Sequence, residues 1–454
     1  MDFNNKRVLV AGSGVSGIAA VSLLDKVNAD IVLLEGNKEI SAEEVRNKLP
    51  LGVCAEIIVG DLPEEVMKTL DLAVLSPGVP TDLDFVVHMK ELGIPVWGEI
   101  ELAFRNAKGR LAAITGTNGK TTTTALTGSI MEAYYDSVYV VGNIGAPYTD
   151  AAFKTTDASV VVAEVSSFQL ETVVEFKPEV SAILNITPDH LNRHHTMEAY
   201  IEAKKNITGN QDKDGVCVLN YEDPVLREIG DTLGCRVFYF SSKTSLENGI
   251  YLDGEDNIIY SRQGEKIKVC HISQLKLLGM HSYENVMAGV AIGIHMGVPM
   301  ECIRKAIMEF EAVEHRIEYV TEKKGVKYYN DSKGTNPDAA IKGIEAMVTP
   351  TLLIGGGYDK NSEYEDWIKA FGGKVKLLVL IGQTKEKIAD AAKRCGFHSI
   401  VMAESLEEAV AVCEQEARPG DSVLLSPACA SWGMFKNYEE RGRIFKELVY
   451  KMED

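Results

Sequence analysis

A chain of 454 residues with a net charge of −19 has 45% hydrophobic and 25% charged residues, the composition of an ordinary globular protein. The acidic balance argues against a nucleic-acid or anionic-membrane partner, because both require a surplus of basic surface. The length is sufficient for about three domains of ~150 residues. No stretch reaches the ~18 apolar residues of a membrane span, and the first strand begins without an apolar signal segment. We therefore expect a cytoplasmic protein with no membrane insertion.

The eight cysteines are scattered along the chain, and no two of them form a CxxC pair. This pattern favours reduced core thiols over a disulfide framework or a zinc site. The cysteines are Cys54, Cys217, Cys235, Cys270, Cys302, Cys395, Cys413 and Cys429.

Strand-like apolar runs alternate with helical periods along the whole chain, which is typical of parallel-sheet α/β proteins. The predicted strands of a first group are KRVLVAG, DIVLLEG and DLAVLSPG. After the crossing segment IPVWGEIELAFRN, a second group contains RLAAITG, SVVVAEV, VSAILNIT and a predicted hairpin or meander in GIYLDGEDNIIYSRQGEKIKV. A third group, with PTLLIGGG, VKLLVLIG and DSVLLSP, follows FEAVEHR. We therefore predict an α/β chain with domains at residues 1–97, 98–312 and 313–454.

The first predicted strand leads into a GxGxxG motif formed by Gly12, Gly14 and Gly17. Glu35 follows ~20 residues later, at the end of the second strand. Alone, this pattern suggests a dinucleotide-dependent oxidoreductase. The glycines themselves indicate only that a pyrophosphate-like anion can lie at the helix end, so the ligand stays open at this point.

The segment GTNGKT forms a second glycine turn between a strand and a helix. Gly116 and Gly119 allow the backbone N–H groups to converge on an anion, and the following helix adds its positive end. Lys120 can reach terminal phosphates, and the hydroxyl of Thr121 can bind Mg²⁺. The spacing departs from GxxxxGK, because Ile114 stands where that motif has glycine. The pattern predicts nucleotide binding, with a glycine turn that merely caps a helix as the alternative.

Polar residues also occur near two further strand ends of the central group. Glu164 lies in the otherwise apolar SVVVAEV, where a carboxylate is costly unless it is paired or metal-bound. The alternative is an edge residue that faces water. The segment NITPDHLNRHH supplies three histidines, two of which we expect to be solvated loop residues. A zinc site is disfavoured, because no cysteine or second histidine has suitable ligand spacing.

The segment TMEAYIEAKKNITG predicts a helix that begins at Thr196 and carries Tyr200, Lys204 and Ile207 on one face. Lys205 is turned ~100° away and can face water. A partly buried lysine tends to lose its proton, and a neutral amine can react with CO2. The alternative is a lysine whose stem lies along the core while its ammonium group reaches the surface.

The segment GTNGKT resembles the phosphate loop of the Mur ligase family, whose members use ATP to join a carboxylate to an amine. The resemblance covers essentially the whole chain. It implies an N-terminal Rossmann-like sheet domain, a central P-loop ATPase-like domain and a C-terminal Rossmann-like domain. It leaves His194 and His195 as the solvated histidines. The implied Mg²⁺ ligands are Thr121 for one ion, and Glu164, His190 and a carbamylated Lys204 for the other.

The resemblance continues into the third domain, in AVEHRIEYV and YYNDSKGTNPDA. It implies that Arg316 contacts ATP phosphate, that Asp331 contacts the ribose and that Lys333 stabilises the reacting phosphate. His190 is a candidate base for the amine, but a metal-bound imidazole is poor at that task, so the base is unassigned. The expected ATP contacts are Gly116, Thr117, Asn118, Gly119, Lys120, Thr121, Thr122, Asn285, Arg316 and Asp331.

Within the family, members that add a diamino acid carry a DYAHTPD-type segment where this chain has DSKGTNP. The chain is similar to the members that add D-glutamate to UDP-N-acetylmuramoyl-L-alanine through an acyl phosphate, in peptidoglycan precursor synthesis. We expect a monomer whose N-terminal domain binds the UDP part. The position of Tyr438 carries phenylalanine in better-known members. The expected substrate contacts are Ser13, Gly14, Val15, Ser16, Glu35, Ser76, Pro77, Gly78, Asn143, Thr335, Lys360, Ser431 and Tyr438.

Four other functions stay open at the level of sequence. A sister ligase would take a different amino acid or a folate substrate. A P-loop switch or motor would hydrolyse ATP without these substrates. A catalytically inactive nucleotide-binding or scaffold protein would use the loop for binding alone, and a dinucleotide oxidoreductase would use only the first glycine motif.

Overall fold

The structure, a computed structural model, describes residues 3–143, 145–311, 313–359 and 361–453. Lys360, a predicted substrate contact, lies outside the described residues. The chain divides into two compact units. Unit 1 spans residues 1–272 and 284–308, and unit 2 spans residues 273–283 and 309–454.

Unit 1 begins with a five-stranded parallel sheet in the order β3-β2-β1-β4-β5. Its inner strands are buried on both faces, which explains their continuous apolar runs. The strands are β1 (Arg7–Ala11), β2 (Asp30–Glu35), β3 (Glu56–Val59), β4 (Leu72–Leu75) and β5 (Val96–Gly98). The helices are α1 (Val15–Lys26), α2 (Ala42–Lys48), α3 (Glu64–Met67) and α4 (Asp84–Glu91).

The second sheet of unit 1 has nine strands in the order β14-β13-β12-β11-β10-β9-β6-β8-β7. It is parallel from β7 to β12 and antiparallel through β13 and β14, which confirms the predicted meander. The strands are β6 (Arg110–Thr115), β7 (Val138–Gly142), β8 (Val160–Glu164), β9 (Val180–Ile183), β10 (Val216–Asn220), β11 (Arg236–Ser241), β12 (Gly249–Leu252), β13 (Asn257–Arg262) and β14 (Glu265–His271).

Helices flank this sheet and, with its central strands, form a buried core. Thr196 accepts a hydrogen bond of 3.1 Å from Ala199 N and so begins α10 where the sequence predicts it. The α-helices are α5 (Glu99–Asn106), α6 (Lys120–Glu132), α7 (Tyr148–Ala152), α8 (Ser167–Leu170), α9 (Leu191–His194), α10 (Met197–Lys205), α11 (Pro224–Gly230), α12 (Met280–His295) and α13 (Met300–Glu309), and the 3-10 helices are Asn206–Thr208 and Ile272–Gln274.

Unit 2 contains a six-stranded sheet in the order β15-β16-β20-β17-β18-β19, in which only the β15–β16 pair is antiparallel. The strands are β15 (Glu318–Lys323), β16 (Val326–Asn330), β17 (Thr351–Gly356), β18 (Val375–Ile381), β19 (Ile400–Met402) and β20 (Ser422–Leu425). The helices are α14 (Pro337–Ala346), α15 (Glu365–Lys369), α16 (Lys385–Arg394), α17 (Leu406–Glu416) and α18 (Tyr438–Tyr450).

These three sheets confirm the predicted α/β class. All eight cysteines are free, but Cys54 is exposed and Cys302 and Cys395 are half-buried, so the prediction of core thiols is wrong for these three. Cys54 lies between α2 and β3, Cys302 lies near the start of α13, and Cys395 directly follows α16, so their exposure depends on local packing that apolar periodicity alone does not reveal. Within the described residues, no helix is both long enough and apolar enough to cross a membrane.

Candidate functional site

The glycine turn after β6 requires its two glycines. Gly116 has φ +151° and Gly119 has φ +85°, conformations that side chains with a Cβ rarely adopt. A Cβ on Gly119 would lie 2.4 Å from Asn285 Oδ1. The turn therefore packs closely against Asn285 and leads directly into α6.

Asn185, which follows β9, fixes this turn and was not predicted from the sequence. Its Oδ1 accepts a 2.8 Å hydrogen bond from Asn118 N, and its Nδ2 donates one of 3.0 Å to Asn118 O. Thr117 N donates to Asn185 O at 2.9 Å. An amide side chain at the carboxyl end of a strand beside the glycine turn was the available signal.

Two lysines converge on the same main-chain oxygen of the turn. Lys120 Nζ donates hydrogen bonds of 2.9 Å to Gly116 O and Thr117 O. Lys204 Nζ, from α10, donates one of 2.8 Å to Gly116 O. Lys204 and the glycine turn are therefore in direct contact.

Lys204 is only 1% exposed, so the alternative with its ammonium group at the surface is wrong. Its Nζ lies 4.7 Å from the ring centroid of Tyr200. Burial, together with the charge of Lys120, lowers the pKa of Lys204 to about 7, and Asp189 opposes this effect. The lowered pKa brings the unprotonated, nucleophilic form of this amine closer to neutral pH than in an ordinary lysine.

Glu164 is also buried, at the carboxyl end of β8, and the alternative of a water-facing edge residue is wrong. Asn143 Nδ2 donates a 2.8 Å hydrogen bond to its Oε1, and Asn143 N donates to its carbonyl oxygen at 2.9 Å. Its Oε2 is buried and has no hydrogen-bond partner among the described residues. Burial of such an oxygen costs free energy unless a cation or a hydrogen-bond donor contacts it.

The three histidines of the segment after β9 lie in different environments. His190 is about half exposed, has φ 53° and stacks edge-on against Phe168 at 4.8 Å. His195 is exposed, as predicted. The prediction that His194 is solvated is wrong: its Nε2 lies 3.0 Å from Ser167 Oγ, and the ring is buried because the short helix α9 turns it inward.

The metal ligands implied by the resemblance do not contact one another directly. Within the described chain, no hydrogen bond or ion pair joins Glu164, His190 and Lys204. Thr121 is the second residue of α6, and Thr122, beside it, is buried.

The first glycine motif of unit 1 forms a small polar network. Ser13 N donates to Glu35 Oε2 at 3.3 Å, and the Ser13 hydroxyl donates to the same oxygen. Lys48 Nζ, from α2, donates to Ser13 Oγ at 3.2 Å. Burial raises the pKa of Glu35, but the bonds from Ser13 and Asn37 N and the charge of Lys48 outweigh it and lower the pKa. Lys48 was not predicted from the sequence.

The remaining predicted residues of this motif surround it. Ser76 Oγ donates to Gly12 O at 3.3 Å, which joins the loop after β4 to the glycine turn. A Cβ on Gly17 would lie 1.8 Å from Gly12 O, so the glycine there permits close contact between helix and turn. The other predicted contacts, Gly14, Val15, Ser16, Pro77 and Gly78, are exposed or half-buried around it.

In unit 2, Asp331 directly follows β16 and faces the interior. Ser426 Oγ donates a 2.6 Å hydrogen bond to its Oδ2, and a Cβ on Gly334 or Gly343 would approach that oxygen to 2.7 or 2.9 Å. Burial raises the pKa of Asp331 to about 7, although Ser426 and the charge of Arg316 favour its ionised form. The contact between Asp331 and a ribose stays a prediction.

Arg441, on α18, is fully buried and was not predicted from the sequence. Its Nε and Nη2 donate to Ser332 Oγ and Ser332 O at 3.0 and 2.8 Å, and its Nη1 donates to Cys429 O at 3.1 Å. Burial lowers its pKa to about 10. The guanidinium thereby joins the segment that carries Asp331 to the segment that carries Ser431.

Other predicted residues lie around these two segments. Lys333 Nζ lies 5.8 Å from the ring centroid of Tyr438, and Lys333 N donates to His315 O at 3.0 Å. Thr335 N donates to Lys333 O at 2.9 Å, and Ser431 is buried.

Unit 2 also contains a cluster of possible metal ligands formed by Glu314, His315 and Glu318. Lys446 Nζ donates to Glu314 Oε1 and Glu318 Oε1 at 3.0 and 2.6 Å. An ammonium group therefore occupies the position that a cation would need, and the cluster is an ion-pair network.

The carboxyl edge of the nine-stranded sheet carries groups whose chemistry suits a phosphate and a divalent cation. The glycine turn leads into the positive end of α6, and Lys120 supplies an ammonium group there. Glu164 Oε2 is a buried carboxylate oxygen without a partner in the described chain, and oxygen is the ligand that Mg²⁺ prefers. Together these features define an α/β phosphate-loop protein with a buried lysine bonded to its loop.

Comparison with known proteins identifies the family. Three domain descriptions match the chain: "Mur ligase MurD-like, N-terminal domain" at residues 6–98, "Mur ligase middle domain" at 114–293, and "Mur ligase, glutamate ligase domain" at 315–429. The chain is 59% identical over 454 residues, all of both chains, to the UDP-N-acetylmuramoylalanine--D-glutamate ligase of Lachnoclostridium phytofermentans. It is 44% identical over 99% of both chains to the ligase of the same name from Clostridioides difficile. The chain belongs to the Mur ligase family.

Solved structures support the fold. The UDP-N-acetylmuramate-alanine ligase MurC of Thermotoga maritima aligns with a TM-score of 0.60 and 19% identity, over 98% of this chain and 99% of that chain. A MurF structure from Acinetobacter baumannii aligns with a TM-score of 0.62 and 15% identity, over 98% of this chain and 94% of that chain. At these identities the similarity establishes the fold alone.

Proposed function

We propose that this protein is an ATP-dependent ligase that adds D-glutamate to UDP-N-acetylmuramoyl-L-alanine in peptidoglycan precursor synthesis. The observation that carries the proposal is the full-length identity of 59% to a ligase with these substrates. The contact of Lys120 and Lys204 with one oxygen of the phosphate loop supports it, because it places two basic groups where a triphosphate would bind.

The nucleotide is proposed to bind on the glycine turn of the central region. Backbone N–H groups between Gly116 and Thr122 and the positive end of α6 attract its phosphates. Lys120 neutralises charge at the terminal phosphates. Asn285, which packs on Gly119, and Arg316 and Asp331 of unit 2 are the further proposed nucleotide contacts.

Two magnesium ions are proposed, one held by Thr121 and one by Glu164, His190 and Lys204. Bound there, Mg²⁺ would polarise phosphoryl oxygens and shield the negative charges of the two substrates from each other. Lys204 becomes an oxygen ligand only as a carbamate, and its buried amine, whose pKa is lowered to about 7, is suited to react with CO2. Asn143 holds Glu164 in place through its Oε1 and leaves Oε2 for the ion.

The reaction joins a carboxylate to an amine in two steps. The substrate carboxylate attacks the γ-phosphorus of ATP and gives an acyl phosphate and ADP. The unprotonated amine of D-glutamate then attacks the acyl carbon to form a tetrahedral intermediate, which expels phosphate while the nitrogen loses a proton to a base. Lys120, Arg316 and Lys333 offset the charge that develops on the transferred phosphoryl group. Thr335, Lys360, Ser431 and Tyr438 are the proposed contacts of D-glutamate.

The UDP part of the substrate is proposed to bind at the first glycine motif. Ser13 to Ser16 and the positive end of α1 lie where a diphosphate would be held. Ser76, Pro77 and Gly78 are the proposed contacts in the neighbouring loop, Glu35 lies near the uracil end, and Asn143 contacts the substrate from the central region.

The proposed domain limits are 1–97, 98–312 and 313–454, and the three matched segments support them. A cytoplasmic location and a monomeric state stay predictions from the sequence.

The test measures phosphate release by the purified protein with ATP, Mg²⁺ and UDP-N-acetylmuramoyl-L-alanine, with D-glutamate, L-glutamate and meso-diaminopimelate in parallel reactions. We expect release and a new amide product, identified by mass, only with D-glutamate. A Lys120→Ala variant prepared in the same way controls for contaminating ATPases. No amide product together with tight NAD(P)H binding would overturn the proposal, and product with another amino acid would indicate a sister ligase.

A further inference from the structure

Two loops of unit 1 that carry proposed site residues are joined by one side chain. Arg193, in α9, donates a 3.1 Å hydrogen bond from Nη2 to the carbonyl oxygen of Val79. Val79 follows Ser76, Pro77 and Gly78, and its own N–H donates to Ser76 O at 2.9 Å. The loop after β4 is therefore attached directly to the segment that contains His190.

Glu171, at the end of α8, holds the guanidinium of Arg193 in position. Arg193 Nε and Nη2 donate to its Oε1 and Oε2 at 3.3 and 2.7 Å. The two side chains are only 12% and 13% exposed, so solvent screens their interaction weakly. Thr81 Oγ1 donates to Glu171 Oε2 at 3.3 Å, which adds a second bond to the loop after β4.

The same guanidinium packs on Phe168, an aromatic ring that also contacts His190. Its Cζ is 5.0 Å from the ring centroid of Phe168, and the His190 ring is 4.8 Å from that ring. Arg193 N also donates to His190 O at 2.9 Å, and His190 has the unusual φ of 53°. Phe168 thus lies in contact with both residues, and Arg193 helps to define the position of the imidazole.

We propose that Arg193 is a positioning residue that fixes the loop Ser76–Gly78 relative to His190. The inference rests on the proposed function, in which that loop contacts the UDP-linked substrate and His190 lies where its carboxylate reacts. A planar guanidinium can bond both oxygens of Glu171 and a carbonyl at once, whereas a lysine ammonium cannot. Misplacement by ~1 Å costs about 100-fold in rate when reacting groups must be aligned.

A purely structural role for Arg193 makes a different prediction. It would lower thermal stability and leave the kinetic constants of the folded fraction unchanged. A positioning role lowers kcat more than it weakens substrate binding, because the UDP part is held mainly by the first glycine motif.

The test compares Arg193→Ala and Arg193→Lys with wild type in the D-glutamate ligation assay. Binding of UDP-N-acetylmuramoyl-L-alanine is measured by calorimetry without nucleotide or metal. We expect kcat of the alanine variant to fall about 100-fold, with a smaller loss for lysine, while the Kd of the UDP substrate changes by less than about threefold. Folded fractions are measured by thermal unfolding.

Arg110→Ala is the matched control. Arg110 also holds a glutamate, Glu179, and a main-chain carbonyl, that of Met296, but it lies at the opposite end of the strands, where β6 begins. Its removal should change stability and leave kcat near the wild-type value. Wild-type kcat in both Arg193 variants, or an equal loss of kcat in Arg110→Ala, would overturn the inference. Absence of amide product from wild type would instead overturn the proposed function.

Discussion

Lys204 Nζ donates a 2.8 Å hydrogen bond to the carbonyl oxygen of Gly116, the same oxygen that accepts a 2.9 Å bond from Lys120. Two ammonium groups on one oxygen repel each other, and Lys204 is the more deeply buried of the two. Loss of a proton from Lys204 relieves this repulsion. The pair therefore links the phosphate loop to the chemistry proposed for Lys204.

The first prediction concerns carbamylation. Lys204→Ala should lose activity by at least about 100-fold, because the proposed metal site loses an oxygen ligand. A short-chain carboxylate such as acetate should restore part of it by supplying that oxygen. Lys205→Ala, which changes the half-buried neighbour, should keep wild-type activity. Full activity of Lys204→Ala, without any effect of added carboxylate, would exclude the carbamate.

The second prediction concerns the pH dependence of stability. The pKa of Lys204 is about 7 in the fold against 10.5 for an unperturbed lysine. Between these values the unfolded chain binds a proton that the folded chain does not, so the fold loses stability as pH falls from about 10.5 to about 7. Lys204→Met removes this effect and should raise Tm by at least about 5 °C at pH 7.

Thermal unfolding of Lys204→Met and wild type in bicarbonate-free buffers measures this difference. The gap in Tm should narrow as pH rises toward 10. A gap that is constant over this range would show that the lysine is protonated in the fold.

The third prediction concerns Glu99, the first residue of α5. Its Oε1 accepts bonds of 2.7 and 2.8 Å from Thr149 N and Oγ1, and its Oε2 is buried without a hydrogen-bond partner among the described residues. Burial raises its pKa. Because the pKa of Glu99 is raised in the folded protein, wild type loses stability as pH rises from the ordinary glutamate range through the pKa that Glu99 has in the folded state. The advantage in Tm of Glu99→Gln over wild type should therefore grow with pH.

Glu101→Gln is the control for this experiment. Glu101 is equally buried, but its carboxylate accepts hydrogen bonds from Arg105 and from the N–H groups of Val174, Glu175 and Phe176. In Glu101→Gln the side-chain amide nitrogen would face these N–H donors and could not accept from them. We therefore expect this variant to be destabilised by about 1–3 kcal/mol at neutral pH. Equal behaviour of the two variants in unfolding scans would contradict the difference that the structure shows.

The fourth prediction concerns Gly119. Gly119→Ala would place a Cβ 2.4 Å from Asn285 Oδ1 at φ +85°, so it should weaken ATP binding at least tenfold, or about 1.4 kcal/mol. Gly93→Ala has a comparable φ of +76° but no atom within 4 Å, and should cost only the conformational strain, about 1 kcal/mol. Nucleotide titration calorimetry and unfolding of both variants separate the clash from the strain. Normal ATP affinity of Gly119→Ala would argue against binding at this turn.

The sequence predicted the parts of the fold that depend on local patterns. Continuous apolar runs gave the parallel strands, and Thr196 marked the start of α10, because strand burial and helix capping depend on neighbouring residues. Lys204 was correctly predicted to be buried, since helical spacing placed it with Tyr200. The prediction that His194 is solvated was wrong, because tertiary packing rather than periodicity decides which side of a four-residue helix faces the interior.

The residues that the sequence did not reveal act through contacts between distant segments. Asn185, Lys48, Arg193 and Arg441 each look like ordinary polar residues of loops or helix surfaces. Their partners are 35 or more positions away along the chain in most cases, as in the bonds of Lys48 to Ser13 and of Arg441 to Ser332. Such pairings depend on how the chain folds back on itself, and a single sequence contains no direct record of them.

The carbonyl oxygen of Gly116 carries a partial negative charge, which stabilises the ammonium groups of Lys120 and Lys204. Lys120 must give up its two hydrogen bonds to main-chain carbonyl oxygens before it can donate to an incoming phosphate. Binding is therefore a substitution of acceptors, and its free energy is a difference between two sets of hydrogen bonds. Compounds that compete for this turn should gain more from reproducing the geometry of the carbonyl oxygens than from carrying additional negative charge.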